Sequence, residues 1–102
     1  MYLFTVSLYP NDKAKEVAET YLKAMKKFPD DANVATPILP VAVRGTHQGI
    51  KAMVIYDVKK GKLDDAMTLA VNRLSMFHGI QGYRYANKVF LTLEEALKII
   101  GM

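Results

Sequence analysis

The hydrophobic positions of the chain change period several times, and each change predicts a new element. Residues 2–9 alternate between two sets of side chains, which is typical of a strand rich in aromatic and β-branched residues. Over residues 12–28 the apolar positions recur every three to four residues, which predicts an amphipathic helix. Asp12 suits the positive end of the dipole of this helix, and Lys26 and Lys27 suit its negative end.

The rest of the chain repeats this alternation of periods. Residues 36–44 carry two prolines, and because proline cannot donate to a strand ladder they predict an edge strand. A glycine-bounded turn at 45–49 leads to a strong strand over 49–58. A second helical stripe covers 63–78, and 82–91 predict the last strand.

Two further signals concern the ends of helices. The stretch TLEE at 92–95 matches a capping box, with Thr92 as N-cap and Glu95 at the third helical position. We therefore expect a short C-terminal helix that runs to about Ile100. His78 is followed by Gly79, which we expect to end the second helix in a left-handed conformation.

The predicted order of strands and helices indicates an α+β fold. Strand, helix, strand, strand, helix, strand is the ferredoxin-like βαββαβ arrangement, here with a helical tail. Right-handed connections place both long helices on one face of a four-stranded antiparallel sheet, with the strand order 4-1-3-2. With 102 residues, the chain is expected to form a single domain, 1–102.

The face of the sheet without helices is expected to be rich in carbon. A large apolar surface is rarely left exposed to water, and the simplest way to bury this one is contact with a second copy in a two-fold homodimer. The residues expected on this face are Leu3, Thr5, Ser7, Tyr9, Met53 and Ile55.

A family resemblance agrees with this interpretation. The stretch FHGIQGYRYANKVFLTLEEALKII resembles the dimeric α/β-barrel superfamily, and in particular small members of unknown function whose last strand ends in a T-x-E-E-A-L helix. The resemblance implies a homodimer whose sheets close into a barrel, with a ligand cavity between sheet and helices. Its members include cofactor-free monooxygenases, haem-degrading enzymes, isomerases and ligand-sensing modules, so the resemblance does not select one function.

The first functional hypothesis is a protein that binds a small apolar or aromatic ligand. Tyr83 and Tyr85 alternate with Arg84, so both tyrosines point one way and could form an aromatic wall for a planar molecule. Ser7 stands roughly where the haem-degrading members carry an asparagine, whereas their tryptophan is missing, so we expect no haem. The candidate ligand-binding residues are Ser7, Tyr21, Tyr56 and Tyr83.

The alternative hypothesis is an enzyme of the cofactor-free monooxygenase or isomerase type. Its candidate catalytic residues are His78, Tyr85 and Arg73, with His78 as proton acceptor. Arg73, Arg84 and Lys51 could hold a carboxylate or a phosphate, although nothing in their spacing places them together. A structural role is open for His78 as well, because a histidine at a helix end interacts favourably with the negative end of the dipole.

Composition excludes several chemistries. The chain has no cysteine, which rules out disulfides, thiolate metal sites and cysteine catalysis. Its two histidines have no acidic cluster nearby, so we expect neither a metal nor a cofactor. The formal net charge of +4 permits an anionic ligand without requiring one.

Nucleic acid and membrane are the remaining partner classes. Residues 3–8, LFTVSL, partly resemble the first strand of RNA-recognition domains, but QGIKAMVIY lacks the rings that the third strand of those domains stacks on bases. An RNA-binding module is therefore disfavoured. The apolar run at residues 2–9 is too short to span a membrane and lacks signal-peptide features, which predicts a cytoplasmic protein.

Overall fold

The computed structural model describes all 102 residues and confirms the predicted order of elements. A 3₁₀ turn at Asn11–Lys13 leads into the first helix, and the second helix ends at residue 75, earlier than predicted. The elements are β1 (Tyr2–Tyr9), α1 (Ala14–Lys27), β2 (Ala35–Thr46), β3 (Gly49–Val58), α2 (Leu63–Ser75), β4 (Arg84–Phe90) and α3 (Leu93–Ile99).

The four strands form one antiparallel sheet in the order β2–β3–β1–β4. Read from the other edge, this is the order 4-1-3-2 expected from the sequence. The architecture is α+β and is consistent with a ferredoxin-like fold. The central strands β1 and β3 therefore position most of the side chains that the helices cover.

The edge strand β2 is longer than the predicted nine-residue run. It pairs with β3 from Ala35 to Thr46, and its register shifts between Pro37 and Leu39 and again between Leu39 and Ala42. These irregularities fit the two prolines, because a proline has no N–H to donate and is confined to edges and bulges. The sequence thus predicted an edge strand correctly, but it did not show how far this strand pairs with β3.

The assignment of the β1 faces was wrong. Leu3, Ser7 and Tyr9 are buried on the face that the helices cover, where Leu3 packs in a cluster with Ala66 of α2. The set that faces the helices contains Thr5 and Ser7, whereas the other set is entirely apolar or aromatic, so the polarity of the two sets indicated the opposite face. The free face carries Tyr2, Phe4, Val6 and Leu8 of β1, Lys51, Met53, Ile55 and Asp57 of β3, and Arg84, Ala86, Lys88 and Phe90 of β4.

The core consists of two separate clusters of buried side chains rather than one continuous layer. One cluster lies at the end of the sheet where β1 stops, and contains Tyr9, Val17, Ala24, Ala52, Phe77 and Ile80. The other lies at the end where β1 starts, and contains Leu3, Val58 and Ala66. The helices therefore pack against the sheet at these two places, and the volume between the two clusters can hold a cavity.

The capping box of α3 is confirmed. The Glu95 N–H donates to Thr92 Oγ1 over 3.1 Å, and the Thr92 N–H donates to Glu95 Oε1 over 2.9 Å. These bonds satisfy main-chain donors that no helical carbonyl can reach. The apolar side chains of α3 remain uncovered, since Leu93 is 75% and Ile99 72% exposed.

The expected left-handed cap at Gly79 is wrong. Gly79 does not have a positive φ, whereas Gly82, two residues before the start of β4, has φ 83°. After Ser75 the chain continues in turns, in which the Phe77 N–H donates to the Leu74 carbonyl and the Ile80 N–H to that of Phe77. The terminal carbonyls are satisfied by these turns, so no left-handed residue is needed at the helix end.

Candidate ligand-binding cavity

A cavity of about 440 Å³ lies between the sheet and the two long helices. Of the 24 residues that line it, 20 are hydrophobic. β1 contributes all four of its helix-facing side chains, from Leu3 to Tyr9. At about 3.3 Å per residue, the cavity therefore runs roughly 20 Å along this strand.

Small side chains explain why this space is not filled. Alanines line the cavity on the helices as well as on the sheet, so neither layer reaches across to the other. Protein interiors are otherwise packed with few voids larger than a water molecule. These alanines are Ala18 and Ala24 of α1, Ala66 and Ala70 of α2, Ala35 of β2 and Ala52 of β3.

One end of the cavity is aromatic. The Tyr83 ring stacks on Phe77 with centroids 4.7 Å apart and on Tyr9 with centroids 5.9 Å apart, at interplanar angles of 18° and 14°. Burial raises the pKa of both tyrosines, and the nearby Ser7 hydroxyl opposes the rise in the pKa of Tyr83. Ser7 is itself a buried polar side chain that lines the cavity.

The other end of the cavity carries a charged cluster. Arg73 donates from Nε to the Phe28 carbonyl over 2.8 Å, from Nη1 to the Tyr56 hydroxyl over 3.0 Å and from Nη2 to Asp30 Oδ1 over 2.9 Å. The Tyr56 hydroxyl donates to the same Asp30 oxygen over 2.6 Å. The guanidinium charge is thus matched by a carboxylate, and Arg73 ties α2 to the loop after α1.

Burial and the Asp30 carboxylate raise the pKa of Tyr56 to about 12, against the opposing effect of Arg73. Tyr56 pairs with Leu3 in the sheet, whereas Tyr9 pairs with Ile50. The aromatic end and the charged end therefore lie at opposite ends of β1. The Tyr56 phenol is neutral throughout the physiological pH range and acts as a hydrogen-bonding group.

The four candidate ligand-binding residues come together in the structure. Ser7, Tyr21, Tyr56 and Tyr83 all line the cavity. Sequence reasoning missed Thr5, which also lines it and donates to Asn87 Oδ1 over 2.7 Å. The only signal for Thr5 was its position between Leu3 and Ser7 in the alternation, and that set was assigned to the opposite face.

The three candidate catalytic residues do not form one group. His78 Nε2 and the Tyr85 hydroxyl are 2.8 Å apart with nearly parallel rings, but both residues are exposed and neither lines the cavity. Arg73 does line the cavity, where its donors bind Asp30, Tyr56 and Phe28.

The structure does not bring Arg73, Arg84 and Lys51 together. Arg84 and Lys51 lie at free-face positions of the sheet, opposite Leu8 in the ladder, whereas Arg73 lies on the helix side. Alternation along β3 and β4 separates them. No group of three or more histidine, aspartate or glutamate side chains is arranged to hold a metal ion. None of the helices is long and apolar enough to cross a membrane.

Comparison with known proteins identifies the architecture alone. No protein-family model matches the sequence, and no curated protein does. The designed protein Foldit4 is similar in structure, with a TM-score of 0.50 and 9% identity over 88% of this chain and 96% of its own. At this identity the likeness defines only the class, a small α+β protein with a four-stranded antiparallel sheet.

Parts of two natural proteins are similar to most of this chain. A formyltetrahydrofolate deformylase from Pseudomonas putida KT2440 gives a TM-score of 0.48 at 8% identity over 87% of this chain. An unknown protein from Galdieria sulphuraria gives 0.48 at 8% identity over 90% of this chain. The chain spans 28% of the length of the first and 46% of the second.

Proposed function

We propose that this protein binds a small, uncharged, mostly apolar molecule between its sheet and its helices. The observation that carries the proposal is the cavity of about 440 Å³ with 20 hydrophobic residues among its 24 lining residues. This size lies within the range of roughly 300–1,000 Å³ that small-molecule sites occupy. A few polar groups within a hydrophobic lining are also the usual composition of such sites.

Electrostatics favours a neutral ligand. Arg73 is the single charged residue of the lining, and its guanidinium is paired with Asp30 over 2.9 Å. A charged ligand would enter without a counterion, and burying an unpaired charge is strongly unfavourable. The Arg73 cluster therefore serves as a polar wall rather than as an anion receptor.

Binding is testable with N-phenyl-1-naphthylamine, a neutral dye whose fluorescence rises in apolar surroundings. We expect saturable enhancement with one dye per chain. Val54→Phe should weaken binding at least about tenfold, because overfilling a packed site costs on the order of 1–3 kcal/mol. Val54 lines the cavity from β3, so its added ring would occupy the ligand volume.

Val71→Phe provides the matched control. It makes the same change on α2, but Val71 is 47% exposed and does not line the cavity. The control should bind the dye like the unmodified protein. The proposal fails if the unmodified protein shows no saturable enhancement, or if the Val54 and Val71 variants bind equally well while both remain folded by circular dichroism.

A second copy of the chain is proposed to cover the free face of the sheet, giving a dimeric α/β barrel. The centre of this face is uncharged, with Phe4 and Val6 of β1 beside Ile55 and Met53 of β3. Four strands about 4.8 Å apart and eight residues long present roughly 500 Å² before side-chain relief is counted. This approaches the ~800 Å² per partner of a standard interface, with charged residues at the rim.

Nucleic acid is a less favourable occupant of the same face. The free-face positions of β3 carry Lys51, Met53, Ile55 and Asp57, so this strand presents no ring for base stacking. The enzyme alternative is not favoured either, because a proton acceptor must reach its substrate and His78 lies outside the cavity lining.

Val6→Arg tests the dimer. In a two-fold contact the new charge enters the interface twice, so we expect dissociation to be at least about 100-fold easier. Analytical ultracentrifugation at micromolar concentration should show a dimer for the unmodified protein and for Val71→Arg, and a monomer for Val6→Arg. A monomeric unmodified protein would overturn the dimer, and RNA binding that weakens steeply with salt would assign the face to nucleic acid.

A further inference from the structure

The cavity offers hydrogen-bonding groups at two places, and most of those at the charged end are already used. Three of the five N–H groups of Arg73 donate to Phe28, Tyr56 and Asp30, and the Tyr56 hydroxyl both accepts from Arg73 and donates to Asp30. The two remaining N–H groups belong to a guanidinium that these partners hold in place and whose charge Asp30 already balances. The charged end is therefore a less favourable place for a neutral polar ligand group than a hydroxyl without such partners.

The hydroxyls of Ser7 and Tyr83 are different. Ser7 is 7% exposed and Tyr83 is half-buried, and both line the cavity. Tyr83 stacks on Tyr9, which lies two residues from Ser7 on the same face of β1, and no main-chain group or charged side chain bonds to either hydroxyl. Two hydroxyls hold two O–H donors, and a bond between them would use only one. One donor therefore remains to meet a molecule inside the cavity.

The residues around this O–H donor indicate the shape of the ligand group that it would bind. Tyr83 is stacked with Phe77 and Tyr9, so the end of the cavity that holds the hydroxyl pair is built from nearly parallel rings. Flat ligand groups pack well against such a surface through offset stacking. Between this aromatic end and the Arg73 cluster the lining is mostly aliphatic, which suits an apolar extension.

We infer that the ligand is an elongated neutral molecule with a planar head that carries a hydrogen-bond acceptor, such as a carbonyl or ether oxygen, held by the Ser7–Tyr83 hydroxyl pair. The inference rests on the proposed binding function. It adds which end of the cavity the head occupies and which class of polar group the head carries.

Three naphthalenes of nearly equal shape test the inference by displacing N-phenyl-1-naphthylamine. They are 2-acetylnaphthalene, which carries an acceptor, 2-isopropylnaphthalene, which has a methyl group in place of the carbonyl oxygen, and 2-naphthoate, which carries a charge. Ser7→Ala and Tyr83→Phe should each weaken 2-acetylnaphthalene about five- to tenfold, the effect of one lost hydrogen bond. Neither substitution should change the affinity for 2-isopropylnaphthalene by more than about twofold.

Tyr85→Phe is the control outside the cavity, because it makes the same change at a residue that does not line the cavity. It should leave the ratio of the acetyl to the isopropyl affinity unchanged, and 2-naphthoate should bind least tightly to every variant. Equal acetyl affinities in the unmodified protein, Ser7→Ala and Tyr83→Phe would overturn the inference. Absence of binding by 2-isopropylnaphthalene to the unmodified protein would instead contradict the proposed function, so the two failures are distinguishable. Tyr83→Phe keeps the stacked ring and decides the outcome if Ser7→Ala does not fold.

Discussion

Replacing Gly49 by alanine is expected to lower the free energy of unfolding by about 3 kcal/mol. Gly49 begins β3 with φ 132°, a conformation that alanine rarely adopts. A Cβ built there overlaps the Tyr9 carbonyl oxygen and lies 3.6 Å from Pro10 Cα. Main-chain atoms of two central strands would have to separate, because no flexible side chain is present to yield. Urea denaturation followed by circular dichroism measures the loss.

Gly45→Ala is the matched control in the same hairpin. Gly45 pairs with Ile50, does not have a positive φ, and has no atom within 4 Å of a built Cβ. Its substitution should change the stability by less than about 0.5 kcal/mol. Similar losses for the two alanine variants would show that the close approach of β3 to Tyr9 is not a constraint on the fold.

Arg73→Met should lower the free energy of unfolding by about 2–3 kcal/mol. The Arg73 side chain is 12% exposed, and its loss leaves the Phe28 carbonyl and the Tyr56 hydroxyl without their donor. The Asp30 carboxylate loses its cation and keeps only the Tyr56 hydroxyl as donor. Asp30 is 37% exposed, so water replaces part of its lost interaction, and the expected loss lies below that of a fully buried ion pair. Methionine keeps the apolar stem of the side chain, which isolates the polar contribution.

A second ion pair serves as the control for Arg73. Lys98 and Glu94 are 4.0 Å apart on α3, and their side chains are 77% and 84% exposed. Lys98→Met should therefore change the stability by less than about 0.5 kcal/mol. Equal effects of the two substitutions in thermal or chemical denaturation would contradict the structural role assigned to Arg73 at the end of the cavity.

Local signals predicted the elements well. The period-two and helical patterns specified all four strands and both long helices, and the Thr92–Glu95 capping box located α3. These features depend on interactions between residues that are close in the chain, which the sequence displays directly. The helix end at His78–Gly79 failed because the left-handed residue was needed at Gly82, where a Cβ would lie 2.7 Å from Pro10, a contact between distant parts of the chain.

The candidate site was predicted in part. Four tyrosine and serine positions were selected as ligand-binding residues and all four line the cavity, although Ser7 was placed on the wrong face of β1. Tyr85 instead contacts His78 and does not line the cavity. Polar-tipped aromatic residues are conspicuous in a sequence, but whether a ring faces a void or the solvent depends on neighbours that other elements supply.

The sequence by itself determined which segments are strands and helices, and that β1 carries no charge on either of its faces. Only the tertiary structure decided which set of β1 side chains the helices cover, and that six alanines of the helices and the sheet face one another across an open space. The reason is physical. Periodicity records how a segment divides its own side chains between two faces, whereas a cavity is the volume left when segments distant in the chain fail to fill the gap between them.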